Sequence, residues 1–389
     1  MRLLRTLSTT RLVALSATVV ALLVVVATVA MAASGSGGDT PPPRSLPDAV
    51  HDALAAPPVD GVTARIIFTN KLFPSGALLG NAGPVLMSGG SGRLWMTGDG
   101  RGRIELQSNA GDAQIVWTDS EVTVYDASTE TAYHAVLPAS QPGAATDHTP
   151  ASLARITDLL TQFGGHATLS EAQPTTVAGM PAYNVSISPR HDGGMLGSVQ
   201  LAWDAAHGVP LRVAVYAQGA TSPVLELTAT HITYGRVDSA AVDVKAPATA
   251  NVVEIGQLAP AGGAKHGAAV SGLEDVQGVA GFPVVAPDTL VGLPRQDVRL
   301  VGDGESRAVV VTYGQGLGAI VVAQRKAAVG EGSGGFPGSL PTVSLDGVSA
   351  HELATQLGTI LAWESNGVSM TLAGSVPTAA AEAAARELR

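Results

Sequence analysis

Between Val62 and Tyr234 the chain is a succession of short runs in which apolar and polar residues alternate, most of them closed by a turn-forming cluster. Alternation with period two sends one set of side chains to a buried face and the other to water, so each run reads as a strand of a half-buried sheet. Arg103-Ile104-Glu105-Leu106-Gln107 is the plainest case. The runs are Val62–Asn70, Arg93–Thr97, Arg103–Ser108, Ala113–Thr118, Glu121–Asp126, Thr131–Leu137, Ala167–Val177, Tyr183–Ser188, Gly197–Trp203, Leu211–Ala217 and Val224–Tyr234. Connections this short demand antiparallel neighbours. A meander of about eleven strands cannot stay flat, and the expectation is a half-open antiparallel β-barrel.

Two helices accompany the meander. Pro47–Ala56 carries Val50 and Leu54 one turn apart and stops at Pro57-Pro58. Ala151–Phe163 places Leu153, Ile156, Leu159, Leu160 and Phe163 on one face before Gly164-Gly165. That apolar stripe needs cover and is expected to bury against the concave side of the sheet. The fold class is therefore α+β, a half-barrel wrapped on helices over residues 46–250.

Asn251 to Gly272 is Ala/Gly-rich with a single acid and reads as part of a linker over 251–275. Beyond it, apolar runs at Phe282–Ala286, Val298–Val301, Ala308–Tyr313, Ala319–Ala323, Thr342–Leu345, Thr359–Trp363 and Val368–Ala373 precede a helix from Ala379 to Leu388. Residues 276–389 are expected to be a second, small α+β domain that folds on its own.

At the N-terminus, Leu12 to Ala33 carries no charge over 22 residues and follows Arg2, Arg5 and Arg11. Residues 1–33 are long enough to span a bilayer, and Ala30-Met31-Ala32 suits a cleavage site; signal peptide and retained anchor both stand. Either puts the body outside the cytoplasm, membrane-anchored or secreted. Residues 34–45, with Ser34-Gly35-Ser36-Gly37-Gly38 and Pro41-Pro42-Pro43, read as a tether.

Charge and cysteine usage remove several function classes. The formal net charge is −10, and without those three Arg the exported part has 19 basic against 32 acidic residues, net −13. Nucleic acid is excluded as a partner, and docking of the body on an anionic bilayer is disfavoured. The absence of cysteine excludes disulfides, thiolate metal sites and a lipidated Cys anchor. No nucleophile elbow or phosphate loop occurs, and His351-Glu352-Leu353-Ala354-Thr355 has Thr where a zinc helix needs its second His. The nine His fall singly and read as exposed loop and strand residues, the acids as solvated faces. Gly314-Gln315-Gly316-Leu317-Gly318 joins two strand runs without a following helix, so it reads as a hairpin turn. No metal, cofactor or catalytic residue is expected, and the chain reads as a non-enzyme.

Lys71 to Gly90 separates two strands by about twenty residues, where hairpin loops take about 2–5. It holds Leu72, Phe73, Leu78, Leu79, Val85, Leu86 and Met87 among Gly and Pro. Two readings stand: a segment folded onto the core, or a lid or membrane-touching tip over an apolar cavity.

The stretches Gly61-Val62-Thr63-Ala64, Gly92-Arg93-Leu94-Trp95, Asp112-Ala113-Gln114-Ile115-Val116 and Val124-Tyr125-Asp126 resemble actinobacterial members of the lipoprotein-carrier family of the LolA, LolB and RseB type. So do Leu201-Ala202-Trp203-Asp204 and Gly208-Val209-Pro210-Leu211-Arg212-Val213. The resemblance covers roughly Leu46 to Lys245. It implies an open half-barrel whose concave apolar face binds acyl chains of lipids or lipoproteins. It also implies an alternative role as a sensor that restrains an anti-sigma factor or another envelope protein. Arg65 and Arg93 are the candidates for the arginine with which family carriers latch the lid. Residues Val279 to Arg389, through Gly281-Phe282-Pro283, Thr312-Tyr313-Gly314 and Leu361-Ala362-Trp363-Glu364, resemble a domain attached to exported regulatory proteins. An apolar concavity of this kind would be lined by Ile66, Phe68, Leu94, Met96, Ile104, Leu106, Ile115, Trp117, Val124, Tyr133 and Trp203.

Overall fold

The computed structural model describes residues 40–72, 85–109, 111–137, 152–164, 167–190, 194–257, 270–302, 304, 307–327 and 340–388. The N-terminal apolar segment, most of the tether, Phe73, Leu78, Leu79 and residues 258–269 of the expected linker lie outside them. Among the described residues no helix is long and apolar enough to cross a membrane.

The fold is α+β and its first sheet is a curled half-barrel. That sheet begins with β1 (Gly61–Asn70), β2 (Gly90–Thr97), β3 (Gly102–Ser108), β4 (Gly111–Trp117), β5 (Glu121–Asp126) and β6 (Thr131–Val136). After a helix it continues with β7 (Ala167–Leu169), β8 (Gln173–Val177), β9 (Met180–Pro189), β10 (Leu196–Asp204), β11 (Pro210–Ala217) and β12 (Leu225–Tyr234). A last strand, β13 (Asn251–Gln257), completes thirteen, in the order β13-β6-β5-β4-β3-β2-β1-β12-β11-β10-β9-β7, with β8 also on β9.

The count exceeds the expected eleven for two physical reasons. The run Ala167–Val177 is broken at Ser170, whose hydroxyl accepts from Ser186 N at 2.9 Å in place of a ladder carbonyl; β7 and β8 then pair with successive stretches of β9. The second reason lies at Asn251–Gln257, expected as linker, which adds to the edge of β6 as a parallel strand. Parallel pairing needs a long crossover, and residues 137–250 supply it.

His134 helps hold that edge. Its Nδ1 lies 2.9 Å from Glu254 on β13 and its Nε2 lies 3.2 Å from Glu121 on β5. The hydrogen bond to Glu254, then that to Glu121, raises the His134 pKa. A raised folded pKa means the stabilisation is complete below the unfolded value of about 6.5 and is lost as pH climbs through the folded value. The melting-temperature advantage of wild type over His134→Gln is expected to be full below about pH 6.5 and to shrink as pH climbs through the raised folded value. Circular-dichroism melts of both proteins check this, and an advantage that grows with pH would contradict it.

Among the described residues three α-helices accompany the sheet. α1 (Leu46–Ala55) starts at Ser45, whose hydroxyl accepts from Asp48 N at 3.3 Å, and buries Leu46 and Ala49 against Tyr183, Val185 and Trp203. α2 (Val85–Ser88) is a single turn. α3 (Leu153–Phe163) departs from expectation: it packs on α1. Ile156 is buried and Leu160 partly so, but Leu153 is 42% and Leu159 53% exposed. The sheet beneath is already occupied by α1, so α3 forms an outer layer rather than covering the concave face.

The second sheet contains β14 (Thr289–Leu290), β15 (Leu293–Val301), β16 (Ala308–Tyr313), β17 (Ile320–Lys326), β18 (Thr342–Leu345), β19 (Val348–Thr355), β20 (Gly358–Ser365) and β21 (Val368–Gly374). Their order is β14-β15-β16-β17-β21-β20-β19-β18. α4 (Leu273–Ala280) and α5 (Thr378–Glu387) pack on it through Val276, Ala280, Ala381, Ala384 and Ala385. Two elements depart from expectation. Residues 274–280 are helical, ended by Gly281 at φ 79°, whereas Phe282–Ala286 is not a strand. His351 lies on β19, which the sequence did not mark, and Gly314–Gly318 joins the hairpin β16–β17. The residues around the two sheets touch at Ser375, whose carbonyl and hydroxyl accept from Met195 N, and at Gln356, which donates to the carbonyls of Leu72 and Lys71.

Candidate functional site

Alternation along β1 puts Val62, Ala64, Ile66 and Phe68 on one face, and the antiparallel register sets Met96 beside Val62 and Leu94 beside Ala64. The same face continues through Ile104 and Leu106 on β3, then Ile115 and Trp117 on β4. On the other side of β1, β12 contributes Leu227, Ala229 and Ile232, and β11 contributes Leu211 and Val213. Trp117 and Val213 stand on strands five spacings apart, about 24 Å in a flat sheet. Both line one small cavity, so the sheet curls around it.

The cavity volume is about 60 Å³. One water needs about 10–15 Å³ on this measure, so there is space for a few small groups and not for a whole acyl chain. The side chains that face it are apolar; Arg212, between Leu211 and Val213, borders it through its backbone, and its guanidinium is held on the opposite face by Glu226 at 2.6 Å, Tyr216 at 2.8 Å and Gln200 at 2.9 Å. Trp117 closes one end. Its Nε1 donates to Gly100 O at 3.0 Å, and its ring lies so close over Gly102 that a Cβ there would overlap it.

Of the residues expected to line a concavity, Ile66, Leu94, Met96, Ile104 and Trp117 do so. Phe68, Leu106, Ile115, Val124 and Tyr133 belong to the adjoining core and are 1–4% exposed. Trp203 lies in a different cluster, under α1, with its ring 6.2 Å from that of Tyr183. Val62, Ala64, Val209, Pro210, Leu211, Val213, Leu227, Ala229 and Ile232 complete the apolar lining and were not among the residues expected to line it. Their signal was present as alternation in the runs that became β1, β11 and β12.

In the segment from Lys71 to Gly90, Val85, Leu86 and Met87 are buried, at 1%, 1% and 7% exposure, as α2 packs over β1, β3 and β4. The buried Asn70 pins it, donating Nδ2 to Leu86 O at 2.8 Å while Oδ1 accepts from Leu72 N at 3.0 Å. Leu72 is partly buried against the same core. Arg65 and Arg93 lie at positions that alternate with the cavity residues, on the convex face, and are exposed; neither can latch a lid over the cavity.

The cavity rim is braced by a buried polar cluster at the turn between β10 and β11. Asp204, 0% exposed, accepts through Oδ1 from Ala206 N and His207 N at 2.8 Å and contacts His207 Nδ1 at 3.0 Å. Its Oδ2 accepts from Tyr234 OH at 2.7 Å, and the His207 ring stacks on Tyr234 at 3.8 Å. Burial, reinforced by that hydrogen bond, pushes the Tyr234 phenol well above its ordinary pKa and keeps it a donor. The turn closes through Gly208 at φ 65°. His207 is thus buried, not exposed, and Asp204 is no solvated acid. Among the described residues no group of three His, Asp or Glu is placed to hold a metal ion.

No family model matches the chain, and no curated protein does. Among solved structures, MucB in complex with MucA(peri) is similar over 88% of this chain and 98% of that one, at 15% identity and a TM-score of 0.41. The MucA/MucB complex of Pseudomonas aeruginosa matches 87% of this chain and 96% of that one, also at 15% and 0.41. An uncharacterised conserved protein of Thermus thermophilus matches 50% of this chain and 91% of its own, at 14% and 0.31.

Proposed function

We propose that this chain is a non-catalytic, extracytoplasmic binding protein that takes an acyl chain of a lipid or lipoprotein against the concave face of its first sheet. The apolar cavity between β4 and β11 carries the reading, because the side chains that face it are apolar and the Arg212 guanidinium is held on the opposite face. Each methylene buried there is worth about 0.8 kcal/mol, so a few carbons suffice for measurable capture. The contracted volume means that the face must open to admit a longer chain.

The test is organic extraction of the purified protein followed by mass spectrometry, together with Trp quenching by a brominated fatty acid. Trp117 lines the cavity and Trp363 sits in the core of the other domain. Quenching is expected to fall sharply in Trp117→Phe and to persist in Trp363→Phe. Absence of both copurified lipid and quenching would sink the reading.

A second reading, regulation of an anti-sigma factor or another membrane protein, is favoured by the second domain docked through Ser375 and Gln356, which a simple carrier does not need. Stoichiometric recovery of one envelope protein with the chain from membranes would support it, and recovery of lipid alone would count against it.

A further inference from the structure

The convex side of the first sheet carries an arrangement that strand pairing alone does not favour. β1 and β2 set Arg65 directly opposite Arg93, and β12 sets His231 opposite Arg65 from the other side. All three are exposed. Like charges facing each other across neighbouring strands destabilise a sheet. Among the described residues neither arginine has a carboxylate within 4.0 Å. Glu105 stands opposite Arg93 in the β2–β3 register, but its carboxylate is taken by Arg103. Arg103 also lies over the Trp95 ring, 5.2 Å from its centroid. The patch therefore holds three guanidinium groups against one carboxylate in a chain whose formal net charge is −10.

Two further observations point outward. The β1–β12 register shifts between Arg65 and Ile66, leaving the exposed Thr230 as an extra residue beside Arg65. A bulge of this kind re-aims the side chains next to it. Ile67, one same-face position along from Arg65, is 43% exposed. Cationic forks flanked by an exposed aliphatic and an aromatic ring suit an extended segment that alternates carboxylates with apolar side chains, since guanidinium binds carboxylate in bidentate fashion.

We propose that Arg65 and Arg93, with His231, Trp95 and Ile67, form a docking site for an acidic, extended segment of a partner protein. A partner polypeptide is the occupant favoured over an anionic bilayer, because the exported part of the chain is net −13 and the patch lies on a convex surface. The site is on the other face from the cavity and stands or falls independently of what the cavity holds.

The experiment uses full-length protein in a nonionic detergent and a fluorescent ten-residue peptide alternating Glu and Val, with a Gln–Val peptide as control. Anisotropy should show binding of the Glu–Val peptide only. Binding should weaken by about tenfold or more in Arg65→Gln/Arg93→Gln and be lost in Arg65→Glu/Arg93→Glu. Arg93→Gln alone should melt at or above wild type, because it relieves the like-charge pair. Equal affinity of the two peptides, equal affinity of wild type and the double Gln variant, or a lowered melting temperature in Arg93→Gln would overturn the proposal. So would arginine-dependent binding of phosphatidylglycerol nanodiscs with no peptide binding, which assigns the patch to lipid headgroups.

Discussion

Asp204→Ala is expected to be among the most damaging single substitutions around the first sheet. The carboxylate is fully buried and satisfies two backbone N–H groups, the Tyr234 hydroxyl and one His207 nitrogen. Removing it leaves those buried partners without their acceptor, and losing one side of a buried charged network costs about 3–5 kcal/mol. That is a large part of a typical stability of about 5–15 kcal/mol. For a domain of this size it corresponds to about 6–20 °C in melting temperature. Tyr234→Phe, which removes one donor and leaves Oδ2 unpaired, should cost about 1–3 kcal/mol. Thermal melts and urea titrations of the two variants give the order directly, and a near-neutral Asp204→Ala would show that water replaces the carboxylate. The effect should reach the cavity, because Val209, Leu211 and Ile232 line it beside this turn.

Strand-rich architecture was legible because period-two alternation is a local signal that survives in each run separately. What lay beyond it needed long-range information. Asn251–Gln257 carries strand-like Val252, Val253 and Ile255, but it opens an Ala/Gly-rich stretch, and its partner β6 is more than a hundred residues earlier. α4 is short, and its Leu273, Val276 and Ala280 spacing is weak beside the apolar run that follows. His207 fell under the reading of all nine His as exposed loop and strand residues, yet at its turn Asp204 and Tyr234 bury it.

The candidate site divided along the same line. Alternation told which side chains share a face, so Ile66, Leu94, Met96, Ile104 and Trp117 were found together. It could not tell where cover ends along that face. Phe68 and Leu106 are packed against their neighbours while Leu94 borders free space, although all three obey the same pattern. Trp203 shares the alternation of its own strand but lies under α1, which claims that end of the sheet. The convex Arg65–Arg93 pairing needed register, which depends on the turns and not on either strand alone.

Register and cover together lead to the second large effect. Leu86 is 1% exposed and fixed over the concave face by the hydrogen bond from Asn70 to its carbonyl. Leu86→Ala deletes a buried side chain and leaves a cavity, at a cost of about 2.7–5 kcal/mol in the closed, ligand-free state. On the acyl-binding proposal, α2 must lift for the cavity to accept a longer chain, and in the lifted state the Leu86 contacts are already broken. The substitution then destabilises the closed state more than the open one. The apparent dissociation constant is the intrinsic one divided by the open fraction, so easing a rare opening tightens binding. Melting temperature and affinity should therefore move in opposite directions: a clear fall in the first, and binding of a brominated fatty acid tighter by about tenfold for each 1.4 kcal/mol removed from the opening step. If α2 is only core, the melting temperature falls just as far but affinity stays level or weakens, because nothing about ligand entry depended on Leu86. Measuring both quantities on the same variant separates these cases, and Val322→Ala in the core of the second domain serves as the control that should lower stability without touching affinity.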